Sequence, residues 1–169
     1  MTDSTIALAS AQVIAARAKP AAIKAFFDDA TNTVSYVVHD PATKRAAIID
    51  SVLDYDPAAG RTSFASADKI IAFVKEHDLA IDWLLETHAH ADHLSAAPHL
   101  QEKLGGQIAI GEHIVTVQNS FGKLFNARSD FERDGSDFDH LWKDGDRFQI
   151  GEIEVTVLHV PGHPPADNA

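Results

Sequence analysis

At 169 residues the chain is long enough for one domain with a sizeable core. Its composition is ordinary for a globular protein, 45% apolar and 23% charged, and its net charge of −11 argues against nucleic acid and anionic membrane surfaces as partners. Cysteine is absent, which excludes disulfides, a cysteine nucleophile and thiolate metal ligands, so any tight metal site must use histidine and carboxylate, a donor set suited to zinc, iron or manganese.

Residues 1–20 read as a leader, flexible or forming a surface helix, ahead of a domain over residues 21–169. The stretch 5–18 is apolar and alanine-rich, but Asp3 precedes it without any Lys or Arg, so the basic region of a secretory signal is missing. No apolar run approaches membrane-spanning length, and a cytoplasmic location is the default expectation. Residues 23–27 predict a short strand, 28–32 a turn, and 33–39 a β-rich strand ended by Asp40-Pro41. Residues 45–50 predict another strand, continuously apolar from Ala46 to Ile49, as suits burial on both faces. The chain therefore begins as a β-meander.

Residues 54–61 read as a Pro/Gly/Asp loop, and Ser66 has the chemistry to cap a helix running through Val74 and Lys75, with Ile70, Phe73 and Val74 inward. Residues 81–86 predict the next strand. Directly after it comes Thr87-His88-Ala89-His90-Ala91-Asp92-His93, in which four metal-capable side chains fall within six residues. In an extended backbone His88, His90 and Asp92 would share one face, with the two imidazoles able to close on one cation. His93 breaks the alternation, and a turn there would send it with Asp92 toward a second cation. Such ligands at the carboxyl end of a buried strand occupy the usual binding edge of an α/β sheet, and two imidazoles leave coordination positions open for water, dioxygen or substrate.

A second helix is expected over 95–104, stopped by Gly105-Gly106, then a strand over 107–110 and a helix over 113–125 with Ile114, Val117, Phe121, Leu124 and Phe125 inward. Residues 128–146 are acidic and irregular. A hairpin follows, 148–150 against 153–160 around Gly151-Glu152. Beyond it Pro161-Gly162 would turn the backbone sharply and project His163 from the sheet edge, either as a third metal ligand or as an exposed histidine near the C-terminus. Strands before and between helices indicate a layered α/β domain.

His-x-His-x-Asp-His followed much later by Pro-Gly-His resembles the metallo-β-lactamase-fold superfamily. Within it the pattern is most similar to persulfide dioxygenases and bacterial β-lactamase-like hydrolases, with glyoxalase II as a neighbouring branch. The resemblance covers about residues 21–166 and implies an αββα sandwich, of which this chain holds mainly the first αβ half, incomplete at its C-terminus. It implies His88, His90 and His163 as the first metal site and Asp92 and His93 at or near a second. In the dioxygenase branch His88 and His163 would join a carboxylate from a later segment, and Pro164 stands where that pattern usually has threonine. Asp50 is a candidate carboxylate behind a ligand histidine, and Thr87 a candidate for orienting the loop.

The implied function is oxidation of a glutathione-type persulfide to sulfite by mononuclear Fe(II). The alternatives are a glyoxalase II-type thioester hydrolase with one or two Zn(II) ions, in which Asp92 positions water, and a non-catalytic metal-binding fragment or half-domain that needs a partner. The expected partner is a small thiol-derived molecule, with neither nucleic acid nor membrane, and an exposed inner sheet would favour a homodimer or higher association.

Overall fold

The computed structural model describes residues 20–127, 132–160 and 168–169. The reading of residues 1–19 as a leader and the placing of His163 lie outside the described residues. A six-stranded sheet forms the frame, in the order β1-β2-β3-β6-β8-β9. Strands β1 (Ala22–Asp28), β2 (Thr33–His39) and β3 (Arg45–Ile49) form the expected antiparallel meander. From β3 onward the pairing is parallel, through β6 (Ala80–Leu85), β8 (Gln107–Gly111) and β9 (His140–Trp142).

Alternation along β3 explains its unbroken apolar run. Ala46 and Ile48 face one layer, where they meet helix α1 (Ala65–Glu76) through Ile70 and Val74 and helix α2 (Ala97–Leu104) through Leu100. Ala47 faces the opposite layer, where the hairpin β10 (Arg147–Ile150) and β11 (Ile153–Thr156) packs through Phe148 and Ile150, beside Trp142 and Val157. A strand covered on both faces has no polar side, so its sequence shows none. Gly151 makes the hairpin turn at φ 61, and the next amide, that of Glu152, donates to the Asp40 carboxylate at 2.8 Å, which ties the hairpin to the end of β2. Among the described residues no helix is long and apolar enough to cross a membrane.

Four expectations need correction. Residues 54–61 are not a plain loop: β4 (Val52–Asp56) and β5 (Arg61–Ser63) pair antiparallel across a short turn, and β4 also pairs with β7 (Leu94–Ser95). Ser66 does not cap α1. The helix starts at Ala65, and the cap comes from another strand, where the Asp54 carboxylate accepts from the Ser66 amide at 2.8 Å and its hydroxyl at 2.7 Å. Residues 128–146 are not wholly irregular, because β9 lies within them. On helix α3 (Ile114–Leu124) the apolar spacing misleads, since Phe121, Leu124 and Phe125 are exposed. Ile114 is buried as expected, but the other buried positions are Gln118 and Gly122. Gln118 is drawn in because its side-chain oxygen accepts the Gly135 amide at 2.9 Å, and Gly122 because the Arg133 guanidinium lies against it.

Candidate metal centre

Parallel pairing of β3 with β6 ends at Ile49 opposite Leu85, so the next residues, Asp50 and Glu86, leave the sheet side by side. The Asp50 amide donates to the Leu85 carbonyl at 2.9 Å and the Glu86 amide to the Ala109 carbonyl at 3.0 Å, which continues the ladder one step past each strand. Asp50 then takes φ 51, a left-handed conformation that aspartate tolerates better than most residues. Its carboxylate is thereby turned under the loop. It accepts from the Thr87 amide and the Thr87 hydroxyl, each at 2.8 Å.

The hydrogen bonds settle which ring nitrogen each histidine can offer to a metal. The single Thr87 hydroxyl proton goes to Asp50, so toward His88 Nδ1, 2.9 Å away, that oxygen accepts. His88 therefore carries its proton on Nδ1, leaving Nε2 as the nitrogen with a lone pair. His93 Nδ1 lies 3.1 Å from the Leu94 carbonyl, which can only accept. Its Nε2 is the lone-pair nitrogen, and that atom is buried without a hydrogen-bond partner. His90 is reversed. Its Nε2 sits 3.0 Å from Asp50 Oδ1 and 3.2 Å from Glu86 Oε2, so Nε2 carries the proton and Nδ1 faces the other way, 4.0 Å from Asp92 Oδ1.

The loop carrying these groups is bent, not extended as expected from the alternation. The His88 and His90 ring centroids are 4.1 Å apart, and the turn through Ala91 and Asp92 returns His93 to 4.1 Å from His90. His93 thus joins His90 instead of pointing away from it. His90, Asp92 and His93 each bring a ligand atom within 4.8 Å of the others, and Asp50, Glu86 and His90 do the same behind them. An orphaned buried imidazole nitrogen, two further imidazoles with defined lone pairs and a nearby carboxylate fit a metal ion, and their nitrogen and oxygen donors suit zinc or iron(II).

The electrostatics agree with the geometry. Burial alone would lower the His90 pKa, but the two carboxylates close to Nε2, those of Asp50 and Glu86, outweigh it and raise the value to about 9. Burial likewise acts to raise the Asp50 pKa, yet the His90 ring and the Thr87 donors hold it below the ordinary aspartate value. Without a metal, His90 is therefore a buried imidazolium between two carboxylates. Asp92 also lies below its ordinary value: burial opposes this, while hydrogen bonds from its own amide and from the Thr33 hydroxyl, together with His93 and His90, favour the charged form.

Open space flanks the loop on both sides. A groove of about 750 Å³ borders Asp92 and His93 and extends along the β4–β5 hairpin past Tyr55 and Arg61. A smaller cavity of about 340 Å³ meets His88, His90 and His93 with mainly apolar walls that include Ile110, Ile114 and Phe138. Asp92 is 56% exposed, and the Thr33 hydroxyl donates to its Oδ2 at 3.1 Å.

Of the expected site residues, Asp50, Thr87, His88, His90, Asp92 and His93 come together at the carboxyl ends of β3 and β6. Three neighbours were not singled out by the sequence. Glu86 is buried, with Oε2 toward His90 and Oε1 accepting from the Ser95 hydroxyl. Its signal was a carboxylate ending the apolar run Trp83-Leu84-Leu85. Ser95 and Thr33 left no comparable signal, because each reaches the loop only through tertiary pairing.

The model of the metallo-beta-lactamase superfamily matches residues 28–167. The chain belongs to the metallo-beta-lactamase superfamily. A probable metallo-hydrolase of Burkholderia pseudomallei is 54% identical over 144 residues, 85% of this chain and 49% of that protein. Glyoxylase B2 of Dictyostelium discoideum is 45% identical over 86% of the chain and 50% of its own length. More distant is a mitochondrial persulfide dioxygenase of Bos taurus, 26% identical over 86% of the chain and 46% of its own length. The crystal structure of ETHE1 from Myxococcus xanthus superposes with a TM-score of 0.63 at 24% identity, covering 87% of this chain and 52% of that one, and bears out the metallo-β-lactamase fold class. The chain spans between about a third and half of the length of the curated relatives it matches.

Proposed function

We propose that this superfamily member carries the metal-binding segment of an enzyme acting on a small thiol-derived substrate, with persulfide oxidation at one iron as its reaction. The observation that supports this reading is the donor set of His90, Asp92 and His93, two imidazoles and one carboxylate within 4.8 Å of one another. That donor combination, with open positions, suits iron(II), and it differs from the set of His88, His163 and a later carboxylate that the resemblance implies for the dioxygenase branch. When bound, iron would supply the redox chemistry between dioxygen and the terminal sulfur. In the overall reaction a persulfide, one dioxygen and one water give a thiol, sulfite and two protons.

The residues of the chain supply position and access. Asp50 and Glu86 hold His90 by Nε2, and Thr87 holds His88 by Nδ1, so each ring presents its other nitrogen. Asp92 meets the open groove, where Arg61 offers a cation to a substrate carboxylate. The cavity beside His88 and His90 offers mainly apolar walls to a substrate on that side.

A second reading, thioester hydrolysis with zinc, is favoured by relatives named as a metallo-hydrolase and a glyoxylase at 54% and 45% identity. Zinc would polarise the carbonyl and supply hydroxide near neutral pH, with Asp92 orienting the water. Metal analysis combined with oxygen uptake on glutathione persulfide separates the two. Iron content with oxygen consumed in step with sulfite supports the dioxygenase. Zinc content with thioester turnover and no oxygen uptake supports the hydrolase. Bound metal with neither activity leaves a metal-binding piece that needs the rest of a larger protein or a partner.

A further inference from the structure

The ligand loop is closed at its base by a contact that the metal donors themselves do not need. Glu86 is the last residue before the Thr87–His93 segment, and Ser95 stands just past its end. The Ser95 hydroxyl donates to Glu86 Oε1, and the same Ser95 oxygen accepts the Ala97 amide at 3.0 Å, where α2 begins. One side-chain contact thus joins the end of β6 to the start of α2 across the loop. The other Glu86 oxygen, Oε2, is buried and has no hydrogen-bond donor of its own, because the His90 Nε2 proton is directed to Asp50. It lies 3.2 Å from that nitrogen nonetheless. Burying an unpaired carboxylate oxygen is costly unless a positive group faces it. Asp50 alone, bonded to Thr87 and His90, would satisfy the imidazole. A second buried carboxylate on the same N–H therefore calls for a role beyond packing.

We propose that Glu86 is a positioning residue, which staples the base of the ligand loop through Ser95 and holds the His90 ring so that Nδ1 faces the metal. The inference rests on the reading of this loop as a metal centre. Glu86 comes from the end of β6 and Asp50 from the end of β3, so the ring is gripped from two strands and its rotation is blocked. Because Glu86 also ties to α2, the spacing between His90 and the following donors, Asp92 and His93, is set before any metal arrives. Preorganisation of this kind strengthens binding without adding a ligand.

The test is Co(II) affinity, measured by competition titration on the 169-residue chain together with the d–d spectrum and the thermal melt of the metal-free protein. E86A is expected to weaken Co(II) binding by about 10- to 100-fold and to shift the d–d bands. E86Q keeps an acceptor for His90 and a contact to Ser95, and should recover most of the affinity. S95A cuts only the staple and should cost roughly fivefold, with no further loss when added to E86A, since both remove one contact. S95A and E86Q also guard against a fold defect in E86A, because both leave the buried volume nearly unchanged. If the wild type binds Co(II) and all three variants bind within about twofold of it, with unshifted bands, Glu86 has no positioning role. A wild type that fails to bind Co(II) at all overturns the metal reading itself, and this role with it.

Discussion

The two sides of His90 are built differently. Behind it, Asp50, Glu86 and Thr87 are buried or partly buried and drawn from the ends of two paired strands, with Thr87 bonded to Asp50 and both carboxylates facing the ring. In front of it, Asp92 is more than half exposed and its carboxylate meets one hydroxyl, that of Thr33, from the distant β2. The rear side is a rigid cradle whose polar groups have little freedom. The front side borders a groove large enough for a small molecule. Buried hydrogen-bonded groups fix a ligand's geometry, whereas an exposed carboxylate keeps the freedom to meet water or substrate. The contrast divides the labour: the rear fixes the ring that anchors the metal, and the front leaves its carboxylate donor open to water and substrate.

The largest expected effect lies where the two sides meet. His90→Ala removes the donor and leaves Asp50 and Glu86 as two buried carboxylates without their cation. Metal uptake should be lost, and the metal-free protein should melt lower. Full metal content in this variant, measured by elemental analysis, would show that the centre lies elsewhere. Next comes the front side alone. Asp92→Asn should lower turnover of glutathione persulfide or of a glutathione thioester by roughly 10²- to 10⁴-fold, the usual weight of a group that handles a proton. Metal affinity should fall as well, because Asp92 is one of the three proposed donors, but by less than turnover and less than in His90→Ala, since asparagine keeps an oxygen donor. Equal losses of metal and of turnover would erase the proposed division.

The same contrast shows what the sequence could reveal. The meander β1–β3 and strand β6 were legible because burial on one or both faces leaves a direct mark on residue order. The ligand loop was legible because His88, His90, Asp92 and His93 crowd four donors into six residues, a density that a solvated loop has no physical need for. What escaped came from partners far along the chain. The β4–β5 hairpin is hidden in Asp54 to Arg61, since its ladder pairs residues whose composition reads as a turn. The exposed Phe121 and Leu124 on α3 have perfect helical spacing, but Gln118 and Gly122 occupy the buried stripe because Gly135 and Arg133 come to meet them. Glu86 and Thr33 are ordinary at their positions until pairing of β6 with β3, and of the loop with β2, gives each a histidine or an aspartate to hold.

A smaller effect tests the rear side through its protons. In the metal-free protein His90 titrates at about 9, above the ordinary 6.5, so its imidazolium stabilises the fold. That contribution is fully present below pH 6.5 and is lost as pH rises through about 9. Metal must displace the proton on Nδ1, so the sign reverses for binding. Apparent metal affinity should climb by up to about tenfold per pH unit from neutrality toward pH 9, with one proton released per metal beyond those of the other ligands. Calorimetric titrations in buffers of different ionisation enthalpy count that proton. A flat affinity across the window would mean that His90 is already neutral and that the grip of Asp50 and Glu86 on it is weaker than their distances indicate.

The smallest effect belongs to the front side's support from β2. The Thr33 hydroxyl donates to Asp92 Oδ2 at 3.1 Å, while Asp92 Oδ1 remains toward His90. Thr33→Val keeps the β-branched shape that suits β2 and deletes that donor, together with the contact between the Thr31 and Thr33 hydroxyls at 3.0 Å. A half-exposed hydrogen bond contributes about 1 kcal/mol, so turnover should fall by roughly fivefold at most. Metal affinity should stay level, because Thr33 touches none of the rear groups. The value of so mild a substitution lies in its asymmetry. If Thr33→Val instead weakens metal binding as much as turnover, β2 holds the Asp92 donor as firmly as Asp50 and Glu86 hold His90, and the front of His90 belongs to the cradle as well.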